Sequence, residues 1–138
     1  MCIRDRGVRD YMNDIKNKAK EDKFVETLMG RRLYLNEINA ANGLRRQAAE
    51  RAAINGPLQG SAADIIKKAM IDIDKLIFEE MPKVKMIMQV HDELVFEAPL
   101  KELDFVMSKI SNAMESAVKL SIPLLVDIGF GNNWNESH

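Results

Sequence analysis

At 138 residues, with 46% hydrophobic and 30% charged residues, the chain has the length and composition of one soluble globular domain or less. Its apolar runs are far too short to cross a bilayer, no charged start leads into an apolar leader segment, and the lone Cys2 has no internal disulfide partner, which fits a reducing cytosol. The net charge of −1 hides an asymmetry: residues 1–56 hold 12 Lys and Arg against 8 Asp and Glu, residues 57–138 hold 8 against 13, and all eight arginines fall in the first part. Arginine suits phosphate and base-edge contacts, so a nucleic acid would sit against that part, although a solvated charged face explains the charge equally well.

Residues 1–6 share no periodicity with residues 7–23 and read as a frayed or foreign end. Over residues 7–23, Val8, Tyr11, Met12, Ile15 and Ala19 recur at helical spacing and predict a surface helix. Residues 24–28 and 32–35 are β-rich around Met29-Gly30, a hairpin pattern, and residues 36–43, with three asparagines and a glycine, mark a loop. Residues 44–55 return to helix, Gly56-Pro57 should break it, and Pro57 suits the first turn of a new helix. That helix carries one apolar stripe, Ala62, Ile65, Ile66, Ala69, Met70, Ile73, Leu76 and Ile77, and Pro82 closes it.

In residues 86–96 two apolar runs flank His91, Asp92 and Glu93, which reads as a buried hairpin with a tight polar turn. A helix over residues 101–120 turns Leu103, Val106, Ile110, Ala113, Met114 and Ala117 inward. Residues 124–128 form a last short strand, and the polar tail holds Trp134 as a folded-back anchor. Hairpins backed by long helices predict an α+β fold with an antiparallel sheet.

Two groups of residues carry candidate chemistry. An aspartate in a turn has an ordinary reason, bonding nearby backbone N–H groups, but a second carboxylate and an imidazole beside it do not. Repelling carboxylates at the tip of a buried hairpin need a cation or solvent to compensate, and Mg²⁺ prefers one or two carboxylates plus substrate phosphates. The second group is Arg51, Asn55 and Gln59, spaced by four, which would share one face of a continuous helix. Such side chains bond base edges, and they also populate ordinary exposed helix faces; Pro57 would place Gln59 on the next helix.

Three blocks occur in order: Arg31-Arg32-Leu33-Tyr34-Leu35, the run from Arg51 through Asn55, Gln59 and Asp64 to Ile66, and the run from Gln89 through His91, Asp92 and Glu93 to Glu97. Together they resemble the C-terminal part of the bacterial family A DNA polymerases, over residues 7–138. The resemblance implies a fragment of a larger polymerase domain, the distal palm sheet and adjoining duplex-contacting helices, with residues 1–6 foreign or disordered. It implies that Asp92, and less strictly Glu93, are catalytic carboxylates that help hold two Mg²⁺ ions. It implies that His91 lies near the primer terminus and that Arg51, Asn55 and Gln59 touch the minor groove of the primer–template duplex near the new pair. The partners implied are primer–template DNA and dNTP, with no membrane, in a monomeric, cytoplasmic, nucleoid-associated bacterial enzyme of replication and repair.

Departures qualify that picture. The family's second palm aspartate and its nucleotide-gripping helix match nothing in this sequence, and Asn36 and Gly56 stand where other residues are usual. The isolated chain is therefore expected not to polymerise. A non-catalytic duplex-binding remnant is the alternative reading, and a small phosphohydrolase built on His91 and Asp92 is a distant third that lacks further ligands.

Overall fold

The computed structural model describes residues 3–137, so Met1, Cys2 and His138 lie outside the described residues. The chain divides into two compact units, Met1–Asp64 and Ile65–His138. The element order is α1 (Ile3–Asp22), β1 (Phe24–Glu26), β2 (Arg32–Tyr34), α2 (Gly43–Glu80), β3 (Lys85–Val90), β4 (Glu93–Glu97) and α3 (Leu103–Glu115), with short 3-10 turns at Leu100–Glu102 and Trp134–Glu136. This is the expected α+β pattern of hairpins and long helices. The first helix starts at Ile3, so residues 3–6 continue its turns rather than forming the frayed end expected of them.

In the first unit β1 and β2 pair antiparallel, Phe24 opposite Tyr34 and Glu26 opposite Arg32. Gly30 closes the hairpin with φ 82°, the left-handed region that a side chain disfavours. Ala19, Val25, Leu35, Ile38, Ala49 and Ala53 form the core beneath. Two loop asparagines satisfy helix ends. Asn42 Oδ1 accepts from the Leu44 and Arg45 amides at 3.0 and 3.3 Å and caps α2, while Asn39 Nδ2 donates to Lys20 O near the end of α1.

The main correction concerns Gly56-Pro57. The helix does not break there: α2 is a single 38-residue element with Pro57 inside it. Proline has no N–H for the Ala53 carbonyl and crowds it, a cost of about 3 kcal/mol in a bare helix. Packing on both sides of the proline offsets that cost. Ala49 and Ala53 are buried on one face, and Gly56 and Gly60 extend the same seam toward the first hairpin. A Cβ on Gly56 would stand 2.7 Å from Leu33 Cδ2, and one on Gly60 2.6 Å from Thr27 Cγ2. From α1, Tyr11 Oη donates to Ile54 O at 3.0 Å, and burial raises the Tyr11 pKa. Glycine and proline are helix breakers by local propensity; here tertiary packing overrides them.

In the second unit Ile73, Met81, Val84, Val106 and Ile110 form the core, with Leu76, Ile77, Met86, Leu94 and Phe96 packed against it. Most of the stripe predicted on α2 is at least half-buried, but Ala62 is exposed. Lys109 Nζ meets Glu80 Oε2 at 2.7 Å between α3 and the end of α2. The β3–β4 hairpin runs antiparallel from Lys85 opposite Glu97 to Val90 opposite Glu93, with an irregularity between Met86 and Met88. It is not the buried hairpin the apolar runs suggest: Ile87 is 56% exposed, and only one side of the ladder is covered. Successive side chains of a strand point to opposite faces, so an apolar run in this two-stranded sheet cannot bury all its members against one core.

Three further expectations fail. Residues 124–128 form no strand, because no ladder receives them; the Val126 amide instead donates to Glu115 Oε1 at 3.2 Å. The last helix stops at Glu115: the Ser116 amide still donates four residues back to Asn112 O, but the Ala117 amide donates three back to Met114 O, which tightens the chain out of α geometry. Trp134 is 44% exposed and opens a 3-10 turn rather than anchoring the tail in a core.

The seam predicts unequal glycines. Leu33 is half-exposed and its far methyl can yield, so Gly56→Ala should leave stability within about 0.5 kcal/mol of the parent, the helix-propensity gain balancing the shift. Thr27 is β-branched and bonded to Asp64, so Gly60→Ala should cost a net ~1–2 kcal/mol. Denaturant unfolding of the chain carrying each substitution measures both.

Candidate functional site

Because α2 continues through Pro57, Arg51, Asn55 and Gln59 share one helix, and all three are exposed. Successive members lie about 40° apart around the axis, one turn above another. The row sits roughly 140° around α2 from the seam of Gly56, Gly60 and Asp64 that faces the hairpin. Packing and presentation therefore use opposite sides of the helix. The row offers one guanidinium and two amides, five-donor and donor–acceptor groups suited to base edges or backbone oxygens.

The hairpin side holds a group that sequence reasoning left without a role. Asp64 is 8% exposed, the only charged residue among the buried polar ones described. Thr27 Oγ1 donates to its Oδ2 at 2.5 Å and Arg31 Nε to its Oδ1 at 2.9 Å. Arg31 Nη2 reaches Gly60 O at 3.3 Å, and the Leu28 amide donates to Ser61 Oγ at 2.8 Å. Nothing local in the sequence marks this cluster: Asp64 lies on the side of the helix opposite the predicted apolar stripe, and the cation that a buried carboxylate needs is brought to it only by the fold. Beside it, Arg32 lies 4.3 Å over the Phe24 ring and bonds Glu26 Oε1 at 2.9 Å, a hydrogen bond that raises the Arg32 pKa.

The acidic group belongs to the second unit. His91 and Asp92 are the two turn residues between β3 and β4, and Glu93 opens β4 opposite Val90. Of the two turn residues only His91 has positive φ, 53°, a position that two-residue hairpin turns usually give to glycine. Its carbonyl accepts from Gln89 Nε2 at 3.4 Å. All three polar residues are exposed, so water screens the carboxylates and the turn needs no cation to fold. Among the described residues no group of three or more His, Cys, Asp or Glu could hold a metal. The donor set of Asp92 and Glu93 is hard oxygen and fits a share of a Mg²⁺ site, with phosphates, water or further carboxylates completing it. The two groups of candidate residues lie in different units, the α2 row in one and the acidic turn in the other. No helix among the described residues is long and apolar enough to cross a membrane.

Residues 4–136 match the family model of DNA polymerase family A. The chain is 47% identical over 128 residues to DNA polymerase I of Mycobacterium leprae, covering 93% of this chain and 14% of that protein. It is 48% identical over 132 residues to DNA polymerase I of Pseudomonas aeruginosa, covering 96% and 14%. Among solved structures it is similar to the POL domain of Pol1 from M. smegmatis in complex with DNA primer-template and dNTP, at TM-score 0.92 and 44% identity, over 95% of this chain and 23% of that one. The chain thus spans about one seventh of the length of these curated relatives.

The strained turn makes its own prediction. Replacing His91 by glycine should relieve the left-handed backbone and stabilise the β3–β4 hairpin by about 0.5–1 kcal/mol. Amide exchange at the β3 and β4 ladder positions reads this directly, as slower exchange in His91→Gly; faster exchange would show that the imidazole itself holds the turn.

Proposed function

The chain belongs to DNA polymerase family A, and from that premise we propose that it is the duplex-contacting and metal-facing portion of a template-directed DNA polymerase of replication and repair. The observation that carries this reading is the unbroken row of Arg51, Asn55 and Gln59 on an exposed helix face, in a fold similar to one solved with primer-template and dNTP. In the reaction a primer 3′-hydroxyl attacks the dNTP α-phosphate and pyrophosphate leaves.

The row's task is geometric. Minor-groove acceptors are nearly the same for all four base pairs, so donors placed there report the shape of a pair and not its identity. Arg51 and the two amides hold the new duplex in position, and a mispair that displaces the acceptors loses those bonds. His91, on its constrained turn, presents an imidazole toward the primer end. Asp92 and Glu93 are this chain's share of the ligands for divalent ions. Such ions, when bound, lower the pKa of the attacking hydroxyl and neutralise charge on the leaving phosphates. A turn that presents its carboxylates to solvent is a suitable mount, since charge develops outside the protein surface. Two adjacent carboxylates are fewer than a complete cage, so duplex binding without synthesis is the behaviour favoured for the isolated chain.

Fluorescence anisotropy with a labelled primer–template duplex tests the reading. Arg51→Ala should weaken binding by roughly tenfold, Asn55→Ala and Gln59→Ala by somewhat less, and the affinity should fall steeply with salt. Asp92→Ala should leave affinity in metal-free buffer unchanged, and no version should extend the primer. Binding indifferent to all three row substitutions would overturn the reading; extension by the parent chain but not by Asp92→Ala would overturn the claim that its ligand set is incomplete.

A further inference from the structure

Pro57 divides the exposed row of α2. Arg51 and Asn55 precede it, and Gln59 lies beyond it. At that point the helix lacks the bond from residue 57 to the Ala53 carbonyl, and a missing rung at a proline is where helices bend. Gln59 stays in line with Asn55 only if something outside the helix fixes the bend.

The contacts to α2 divide at the same place. Before Pro57 they come from α1: Tyr11 Oη on Ile54 O at 3.0 Å and Lys20 Nζ on Glu50 Oε1 at 3.5 Å. After Pro57 the polar contacts come from the tip of the first hairpin: Leu28 N on Ser61 Oγ, Arg31 on Gly60 O and Asp64 Oδ1, and Thr27 Oγ1 on Asp64 Oδ2. Thr27 Oγ1 also accepts from the Arg31 amide at 3.1 Å, so the two residues that hold Asp64 are locked to each other. Between these grips Val25 and Leu33 press on Gly56. Both oxygens of a nearly buried carboxylate are engaged, and such a carboxylate loses far more when one partner is removed than an exposed one does.

We propose that Thr27, Arg31 and Asp64 are positioning residues for duplex binding: they clamp the segment of α2 after Pro57 so that Gln59 keeps register with Arg51 and Asn55. The inference rests on the duplex-contacting reading of that row. None of the three needs to touch DNA; they act through Gln59. Other buried polar contacts would support stability alike along the whole helix, whereas this clamp affects one side of the proline.

The test is a pair of double-mutant cycles on the 138-residue chain, read as affinity for the same labelled primer–template duplex. In the parent, Gln59→Ala and Arg51→Ala should each weaken binding, Arg51→Ala by roughly tenfold. In an Asp64→Asn background, Gln59→Ala should change affinity by less than about twofold, while Arg51→Ala keeps its full effect. A merely structural role of Asp64 would shrink both effects together, and that result would overturn the proposal. So would an unchanged Gln59 effect. If Asp64→Asn loses its helical circular dichroism, Thr27→Val decides instead, since it removes one bond to the carboxylate and keeps the Arg31 pair; the same selective loss of the Gln59 effect is required of it. If neither Arg51→Ala nor Gln59→Ala weakens binding in the parent, the duplex-contacting reading fails and takes this inference with it, a result distinct from either of the others.

Discussion

Arg51, Asn55 and Gln59 share one helix face only because α2 continues past Pro57. A proline in a helix interior removes one hydrogen bond and adds a clash, and sequence offers nothing local to compensate. The compensation is tertiary. Small residues on one face, Ala49, Ala53, Gly56 and Gly60, let a hairpin lie close against the helix, and α1 holds the turn before the proline. Close approach at glycine is worth having because dispersion and burial act over the whole seam while the lost bond is a single term. With the seam on one side, the opposite face is left free of packing duties and carries the polar row.

The two carboxylate groups illustrate how burial separates structure from chemistry. Asp64 is nearly buried, fully engaged by Thr27 and Arg31, and fixed in place; its charge serves the fold. Asp92, on the two-residue turn, and Glu93, at the start of β4, stand exposed to water. The left-handed His91 between the strands is the one place in that hairpin where backbone strain is kept. Strain of this kind is tolerated where a side chain is wanted at a position that glycine would fill more easily.

Much of this is legible in the sequence. Helical periodicity locates α1, α2 and α3, turn residues locate both hairpins, and the three blocks led by Arg31, Arg51 and Gln89 point to the family. What is not legible is non-local. Gly56-Pro57 carries breaker signals in any window, and only the hairpin packed on it reverses them. The apolar runs around residue 87 resemble a buried strand, and nothing in their hydropathy shows that Ile87 stays exposed. The strand expected over residues 124–128 has the right composition but no ladder to join. At the site, spacing puts Arg51, Asn55 and Gln59 on one helix face, which an ordinary exposed face explains as well, and only the resemblance of the three blocks suggests a role for them. Asp64 stands in the same block, but its partners are 33 and 37 positions away and no local pattern connects them to it.

The central claim is that α2 is one helix whose exposed row is kept in line across a proline by packing from behind. Amide hydrogen exchange of the 138-residue chain, resolved at residues 50–64, measures this most directly. The account predicts that the amides of residues 58–61, which close the rungs spanning Pro57, are protected to the same order as those earlier and later in α2. Rapid exchange confined to residues 56–61, with protected helix on either side, would mean two helices joined by a loose hinge and would contradict it.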